Sequence, residues 1–298
     1  MVFILKYVIN KYMKQKIILI IFSISILIFA PRAEAVTVSS TQQIEILQQE
    51  ISVLQSLISN YNLYQNPTAG AYVAVDLSNN SVLLQKNADK QFSIASVTKL
   101  MNAVVSVENI SMDQQITLTE EMLLPMGQTP VLYSGLKITA GDLLKATIIQ
   151  SSNDSAEALS YFLGKENFIG LMNKKAKELG MSNTVYYDTN GLNLNNKSTA
   201  SDLAKLISYV YKNHPQILEI SRINDFWLPD QEGNMMKFEN GNNFYYLGEF
   251  IGGKGGFLTE AKQTFDSVFN VSGRPIAVAV LYSDNRVADI FSILRKLR

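Results

Sequence analysis

The stretch AYVAVDLSNNSVLLQKNADKQFSIASVTKLM, residues 71–101, decides the fold class. Ala71 to Leu77 alternates apolar and small residues, Ser78-Asn79-Asn80 supplies turn chemistry, and Ser81 to Gln85 returns. This pattern is a β-hairpin. A helical pattern follows from about Ser96 to Val107, so Ser96-Val97-Thr98-Lys99 lies where a strand gives way to a helix. Further out, the capping boxes Thr139-x-x-Asp142 and Thr199-x-x-Asp202 open helices within a helical middle from about 138 to 222. Strand patterns return at Gln263 to Val271 and Ile276 to Tyr282, around the turn Ser272-Gly273-Arg274-Pro275, and an amphipathic helix covers 287–297. Strands at both ends and helices between them predict an α+β fold. The economical form is one antiparallel sheet formed from both chain ends, with an inserted helical block.

The composition narrows the chemistry. The 298 residues carry 26 Lys+Arg and 26 Asp+Glu, so no overall basic field points to nucleic acid. No cysteine is present, which excludes cysteine nucleophiles, disulfides and thiolate metal sites. A single histidine, His214, excludes a multi-histidine metal centre, and no cofactor is implied. In "YKNHPQ" it reads as an exposed loop residue without function. Hydrolytic chemistry must then take its base from lysine or a carboxylate.

Residues 1–35 read as an export signal. Lys6, Lys11, Lys14 and Lys16 precede an apolar run from Ile17 to Ala30, and Ala33-Glu34-Ala35 is a small-x-small cleavage site. Fourteen helical residues rise about 21 Å, short of a bilayer core. Cleavage after Ala35 is expected. The alternative is a retained anchor giving membrane association through the N-terminus. Either way the positive end stays inside and the rest of the chain is extracytoplasmic. Residues 36–67 are expected to form a helical stalk. Ile44, Leu47, Ile51, Leu54, Ile58 and Tyr61 make a heptad seam. It reads either as a short coiled coil, giving a homodimer through residues 41–61, or as an amphipathic helix on its own domain. Residues 68–298 are sized for one catalytic domain.

Three motifs carry the chemistry. In Ser96-x-x-Lys99 the hydroxyl and amine share one helix face. Serine is a poor nucleophile until a neighbouring base takes its proton. Lysine can be that base when burial and another cation lower its pKa. By itself the motif is weak, since an N-cap serine and a solvated lysine would look the same. Ser151-Ser152-Asn153 follows between two helical segments, and alone would be an N-cap. Lys254-Gly255-Gly256 comes last, and alone would be a glycine-rich turn. Together, in this order, they fill the positions of Ser-x-x-Lys, Ser-x-Asn and Lys-Thr-Gly. With "LLKATIIQSSNDSAEALS", "FIGLMNKKAKELGMSNTVYYDTNGLN" and "STASDLAKL", the chain resembles the serine D-alanyl-D-alanine carboxypeptidases over about 70–298. These are low-molecular-mass penicillin-binding proteins of the DD-peptidase/β-lactamase superfamily.

The resemblance implies a DD-peptidase/β-lactamase-like fold and removal of the terminal D-alanine from peptidoglycan stem peptides ending in D-Ala-D-Ala. β-Lactams would be covalent inhibitors. Ser96 would be the acylated nucleophile and Lys99 its base. Ser151 would pass a proton to the leaving D-alanine, and Asn153 would bind Lys99 and the substrate amide. Lys254 would supply positive potential, and the backbone N–H groups of Ser96 and Phe257 the oxyanion hole. Gly255 and Gly256 continue the substrate strand. Arg286 stands where the family often has an arginine at the carboxylate subsite, and reads equally as a surface residue.

The chain departs from the family at Gly255, where the family has Thr or Ser with a hydroxyl for the substrate carboxylate. Restoring it by Gly255→Thr is expected to raise kcat/KM. A catalytically weak peptidoglycan-binding protein therefore stays open as an alternative. A β-lactamase is a further one, although Val185 to Asn196 lacks the glutamate its deacylating water needs. Gly248 to Lys254 matches most of a phosphate loop but has Gly255 where Ser or Thr is required. Asp188 and Asn190 read as structural turn residues, and Trp227 as a core or site-rim residue.

Overall fold

A computed structural model describes residues 66–124 and 132–298, together with Gln48. The expected export segment (1–35) and the heptad seam lie outside the described residues, apart from Gln48, which is helical and exposed. Asn66–Arg298 form one compact unit.

The hairpin is β1 (Ala71–Asp76) and β2 (Ser81–Lys86). After the short β3 (Phe92–Ser93), a 3-10 turn at Ala95–Val97 runs directly into α1 (Thr98–Asn109). β4 (Gln115–Thr117) pairs with β5 (Lys137–Thr139). The helical block continues with α2 (Ala140–Ile149), α3 (Asn153–Tyr161) and α4 (Lys165–Glu178). β6 (Lys197–Ser198) returns to pair with β3, before α5 (Ala200–Asn213) and α6 (Pro215–Ile220). A second hairpin, β7 (Asp225–Pro229) and β8 (Met235–Glu239), precedes the long strands β9 (Phe250–Leu258), β10 (Lys262–Val271) and β11 (Arg274–Ser283). The chain closes with α7 (Arg286–Lys296).

The main sheet has the antiparallel order β2-β1-β11-β10-β9. β1 lies beside β11, with Ala71 opposite Leu281 and Asp76 opposite Ile276, so the two chain ends build one sheet as the sequence predicts. The N-caps of both Thr-x-x-Asp boxes also form. Thr139 Oγ1 accepts the Asp142 N–H and Thr199 Oγ1 that of Asp202, both at 3.1 Å, each satisfying an otherwise orphaned helix donor. The β7–β8 hairpin was not legible in the sequence, because its first strand ends on Pro229 and both strands are only five residues long.

Both sheet faces are covered. On one, Val73, Val268, Ala277 and Leu281 meet Leu100 and Met101 of α1 and Leu203 and Ile207 of α5. On the other, Ala74, Phe265, Phe269 and Val278 meet Ile290, Ile293 and Leu294 of α7. Phe244 joins this second layer. Its ring lies between 5.1 and 6.0 Å from those of Phe250, Phe265, Phe269 and Phe291. Each such aromatic pair contributes about 0.5–1.5 kcal/mol beyond area burial. The cluster fixes the segment leading into β9, and with it the neighbouring Asn243.

Candidate active site

Three places far apart in sequence meet at one end of β9. Ser96 sits in the 3-10 turn, immediately after Ala95, whose φ is +47°. Ser151 lies in the joint between α2 and α3 with φ +64°. Both are non-glycine residues in the left-handed region, which costs about 1–3 kcal/mol each and persists only where the surroundings over-determine it. Around Ala95 they do. Ile94 N–H donates to Asn196 O at 3.1 Å, and Thr264 Oγ1 donates to Ile94 O at 3.0 Å.

Lys99, one turn into α1, is fully buried. Its Nζ lies 3.0 Å from Ser96 Oγ, 2.7 Å from Asn153 Oδ1 and 2.6 Å from the backbone oxygen of Asn190. Two of these neighbours can only accept hydrogen bonds. A neutral amine has two N–H bonds and one lone pair. Asn153 Oδ1 and Asn190 O take the two hydrogens, so the lone pair is left toward the Ser96 hydroxyl. Burial lowers the Lys99 pKa from 10.5 to about 7, outweighing the upward pull of Asp188 and Asp154. The side chain is therefore a base near neutral pH.

Lys254, in the middle of β9, is also buried, and its Nζ donates to Ser151 Oγ at 2.7 Å and to Gly255 O at 2.8 Å. Burial, and then the charges of Lys99 and Arg286, push its pKa well down. An incoming carboxylate would reverse that push.

The end of β9 lies against the nucleophile turn. A Cβ on Gly256 would stand 2.7 Å from Ser96 N and 2.7 Å from Thr264 Oγ1, so only glycine permits the approach. Phe257 follows with its ring 63% exposed, at the rim. Arg286, the first residue of α7, donates from Nη1 to Gly256 O at 3.0 Å and from Nη2 to Asn243 Oδ1 at 3.2 Å. It is only partly exposed, with its guanidinium held against the end of β9. A Cβ on Gly255 would meet Phe265 at 3.0 Å and the Arg286 guanidinium at 3.1–3.2 Å. The guanidinium thus borders the space that a side chain at 255 would need.

The other expectations resolve plainly. Asp188 is a turn residue whose carboxylate accepts from Gly191 N, Asn193 N and Asn196 Nδ2 at 2.6–2.7 Å. Asn190, read as a turn residue, also turns its carbonyl onto Lys99. His214 is not in an exposed loop. It ends α5 with its side chain 17% exposed, and its Nε2 lies 2.9 Å from Glu108 Oε1. Trp227 is half exposed beneath the Lys237 ammonium, so it is not core. Gly252 to Lys254 form strand, not a phosphate loop opening a helix. Among the described residues no group of three or more His, Asp or Glu could hold a metal.

A family model described as D-alanyl-D-alanine carboxypeptidase, peptidase family S11, matches residues 59–285. The chain belongs to this family. It is 28% identical over 282 residues to a D-alanyl-D-alanine endopeptidase of Escherichia coli, covering 88% of this chain and 81% of that protein. It is 39% identical over 145 residues to a D-alanyl-D-alanine endopeptidase of Haemophilus influenzae, spanning 47% of this chain and 50% of that one. Among solved structures, penicillin-binding protein D2 of Listeria monocytogenes in its cefotaxime-bound form superposes with a TM-score of 0.67 at 27% identity, over 78% of this chain and 96% of that one. Family membership makes the chain a serine peptidase of D-alanyl-D-alanine peptides, on the α+β fold expected from the sequence.

If Lys99 serves as the base, its pKa near 7 would set the pH profile, and acylation by a penicillin should slow about tenfold per pH unit below about 7 as the amine is protonated. Stopped-flow acylation from pH 5 to 9 checks this, and a flat profile would remove Lys99 as the base.

Proposed function

We propose that this chain removes the terminal D-alanine from peptidoglycan stem peptides through an acyl-enzyme on Ser96. The observation that carries the reading is the buried Lys99 amine, 3.0 Å from Ser96 Oγ, with both of its hydrogens directed elsewhere. Ser96 Oγ attacks the carbonyl of the penultimate D-alanine while Lys99 takes its proton. The developing oxyanion lies between the N–H groups of Ser96 and Phe257, which the close approach of Gly256 brings together. Ser151, polarised by Lys254, gives its proton to the departing amine and is reprotonated by the Lys99 ammonium, which returns Lys99 to the neutral form, and Asn153 holds the substrate amide. Water then attacks the ester, with Lys99 again as base.

The terminal carboxylate is assigned to Arg286 and Lys254, with Gly255 leaving room for the guanidinium. This revises the effect expected of Gly255→Thr. A Cβ there would stand 3.0 Å from the fully buried Phe265 and 3.1–3.2 Å from the Arg286 guanidinium, so a β-branched residue requires these neighbours to give by a few tenths of an ångström. Hydrogen bonds to charged groups contribute about 1.5–3 kcal/mol, roughly 10- to 150-fold in rate. Gly255→Thr and Arg286→Leu should each lower kcat/KM for a D-Ala-D-Ala peptide by at least about tenfold. A Gly255→Thr enzyme faster than the parent would show that the missing hydroxyl, not crowding of Arg286, limits the site.

The endopeptidase reading has its own support, since the relative matching 88% of this chain carries that name. The same acylation would then release a cross-linking residue in place of D-alanine. The expected substrate lies outside the cytoplasmic membrane, in agreement with an export signal at 1–35. No helix among the described residues is long and apolar enough to cross a membrane. The proposal is tested by giving the protein a D-Ala-D-Ala pentapeptide, a cross-linked dimer and a penicillin, with intact-mass detection of the adduct. D-alanine release from the pentapeptide and a Ser96 adduct, both lost in Ser96→Ala, are expected. An adduct without turnover of either peptide would leave a penicillin-binding protein without efficient peptidase activity, and cleavage of the dimer alone would make the chain an endopeptidase.

A further inference from the structure

The Asn190 carbonyl that takes one Lys99 hydrogen belongs to an irregular segment between α4 and β6, so something must hold it. Thr189 O accepts from Asn102 Nδ2 at 3.0 Å, and Asn102 also donates to Ala156 O at 2.9 Å. The stronger restraint comes from α3. Glu157 is 3% exposed, and its Oε2 accepts from Thr189 Oγ1 at 3.0 Å and from Asn190 Nδ2 at 3.3 Å. Its other oxygen is ion-paired with Lys165, whose side chain is 41% exposed. Glu157 stands four residues after Asn153 on α3, so both face the same way. One helix thus controls both acceptors of the Lys99 amine, one directly through Asn153 and one at second hand through Glu157.

We infer that Glu157 is a positioning residue for the base. It fixes Thr189 and Asn190 so that the Asn190 carbonyl keeps its hydrogen bond to Lys99 and the amine lone pair stays on Ser96. The inference rests on Lys99 being the base of Ser96. Without Glu157, two buried donors, the Thr189 hydroxyl and the Asn190 amide, lose their acceptor and the segment must move to satisfy them. The amine would then be free to turn its lone pair away. Substrate contacts are untouched, so the loss belongs to the chemical step and not to binding. Because Lys165 is partly solvated, the ion pair itself contributes little. A glutamine, which keeps an acceptor oxygen, should therefore largely restore function.

The test measures acylation by a fluorescent penicillin over a range of concentrations at pH 9, where Lys99 is deprotonated, separating the acylation rate constant from the dissociation constant. Glu157→Leu should lower the rate constant by about tenfold or more with the dissociation constant within about twofold, and Glu157→Gln should stay within about threefold of the parent. Thr189→Val removes one of the two donors and should lower the rate constant by about threefold. It decides the matter if Glu157→Leu does not fold. A folded Glu157→Leu with the parental rate constant would overturn the inference. So would a loss confined to the dissociation constant, or a Gln variant as slow as Leu. A parent protein that is not labelled at Ser96 would instead overturn the proposed function.

Discussion

The burial of one amine, that of Lys99, is the constraint on which the site depends. A lysine in water is an ammonium and cannot accept a proton. Full enclosure lowers its pKa to about 7, and two acceptors that can use only its hydrogens leave the lone pair of the neutral amine toward Ser96. The enclosure is built from α1, α3 and the segment before β6, so the helical block packed on the sheet is also the machinery that sets this pKa. Two carboxylates, Asp188 and Asp154, pull the other way, and the result near 7 is a balance that burial wins.

The sheet supplies the second half of the site. β9 runs alongside the nucleophile turn because Gly256 has no side chain to stop it, and it delivers Lys254 to Ser151. Two left-handed non-glycine residues, Ala95 and Ser151, mark where the chain is bent to bring the hydroxyls in. On the far face, the Phe244 cluster and α7 settle Arg286 against Gly255 and Gly256. The guanidinium of Arg286, 31 positions later in the chain, thereby borders Gly255, where the family carries a hydroxyl.

Much of this was legible in the sequence. The first strand of the hairpin at 71–86 alternates before a strong turn, the last two long strands flank the turn Ser272-Gly273-Arg274-Pro275, and the Thr-x-x-Asp boxes mark helix starts by local hydrogen bonding. Motif spacing singled out Ser96, Lys99, Ser151, Asn153 and Lys254, and the structure brings their side chains within hydrogen-bond reach of one another, Lys99 to Ser96 and Asn153, and Lys254 to Ser151. What stayed hidden depends on tertiary placement. Asn190 acts through a backbone oxygen, which no side-chain pattern reports. Glu157 reaches the site through a second residue. The close approach of Phe265 and Arg286 to Gly255 depends on their side-chain placement, which no local pattern reports. His214 was misplaced because its partner, Glu108, is 106 residues away in the chain.

The direct measurement is the titration of the Lys99 amine itself, followed by NMR in protein labelled with 13C and 15N lysine, with Lys99 and Lys254 distinguished by single Lys→Arg variants. A Lys99 midpoint near 7 is expected. A midpoint near 10.5, the ordinary lysine value, in a protein that still acylates at Ser96 at neutral pH would show that a neutral, buried Lys99 is not what activates the serine.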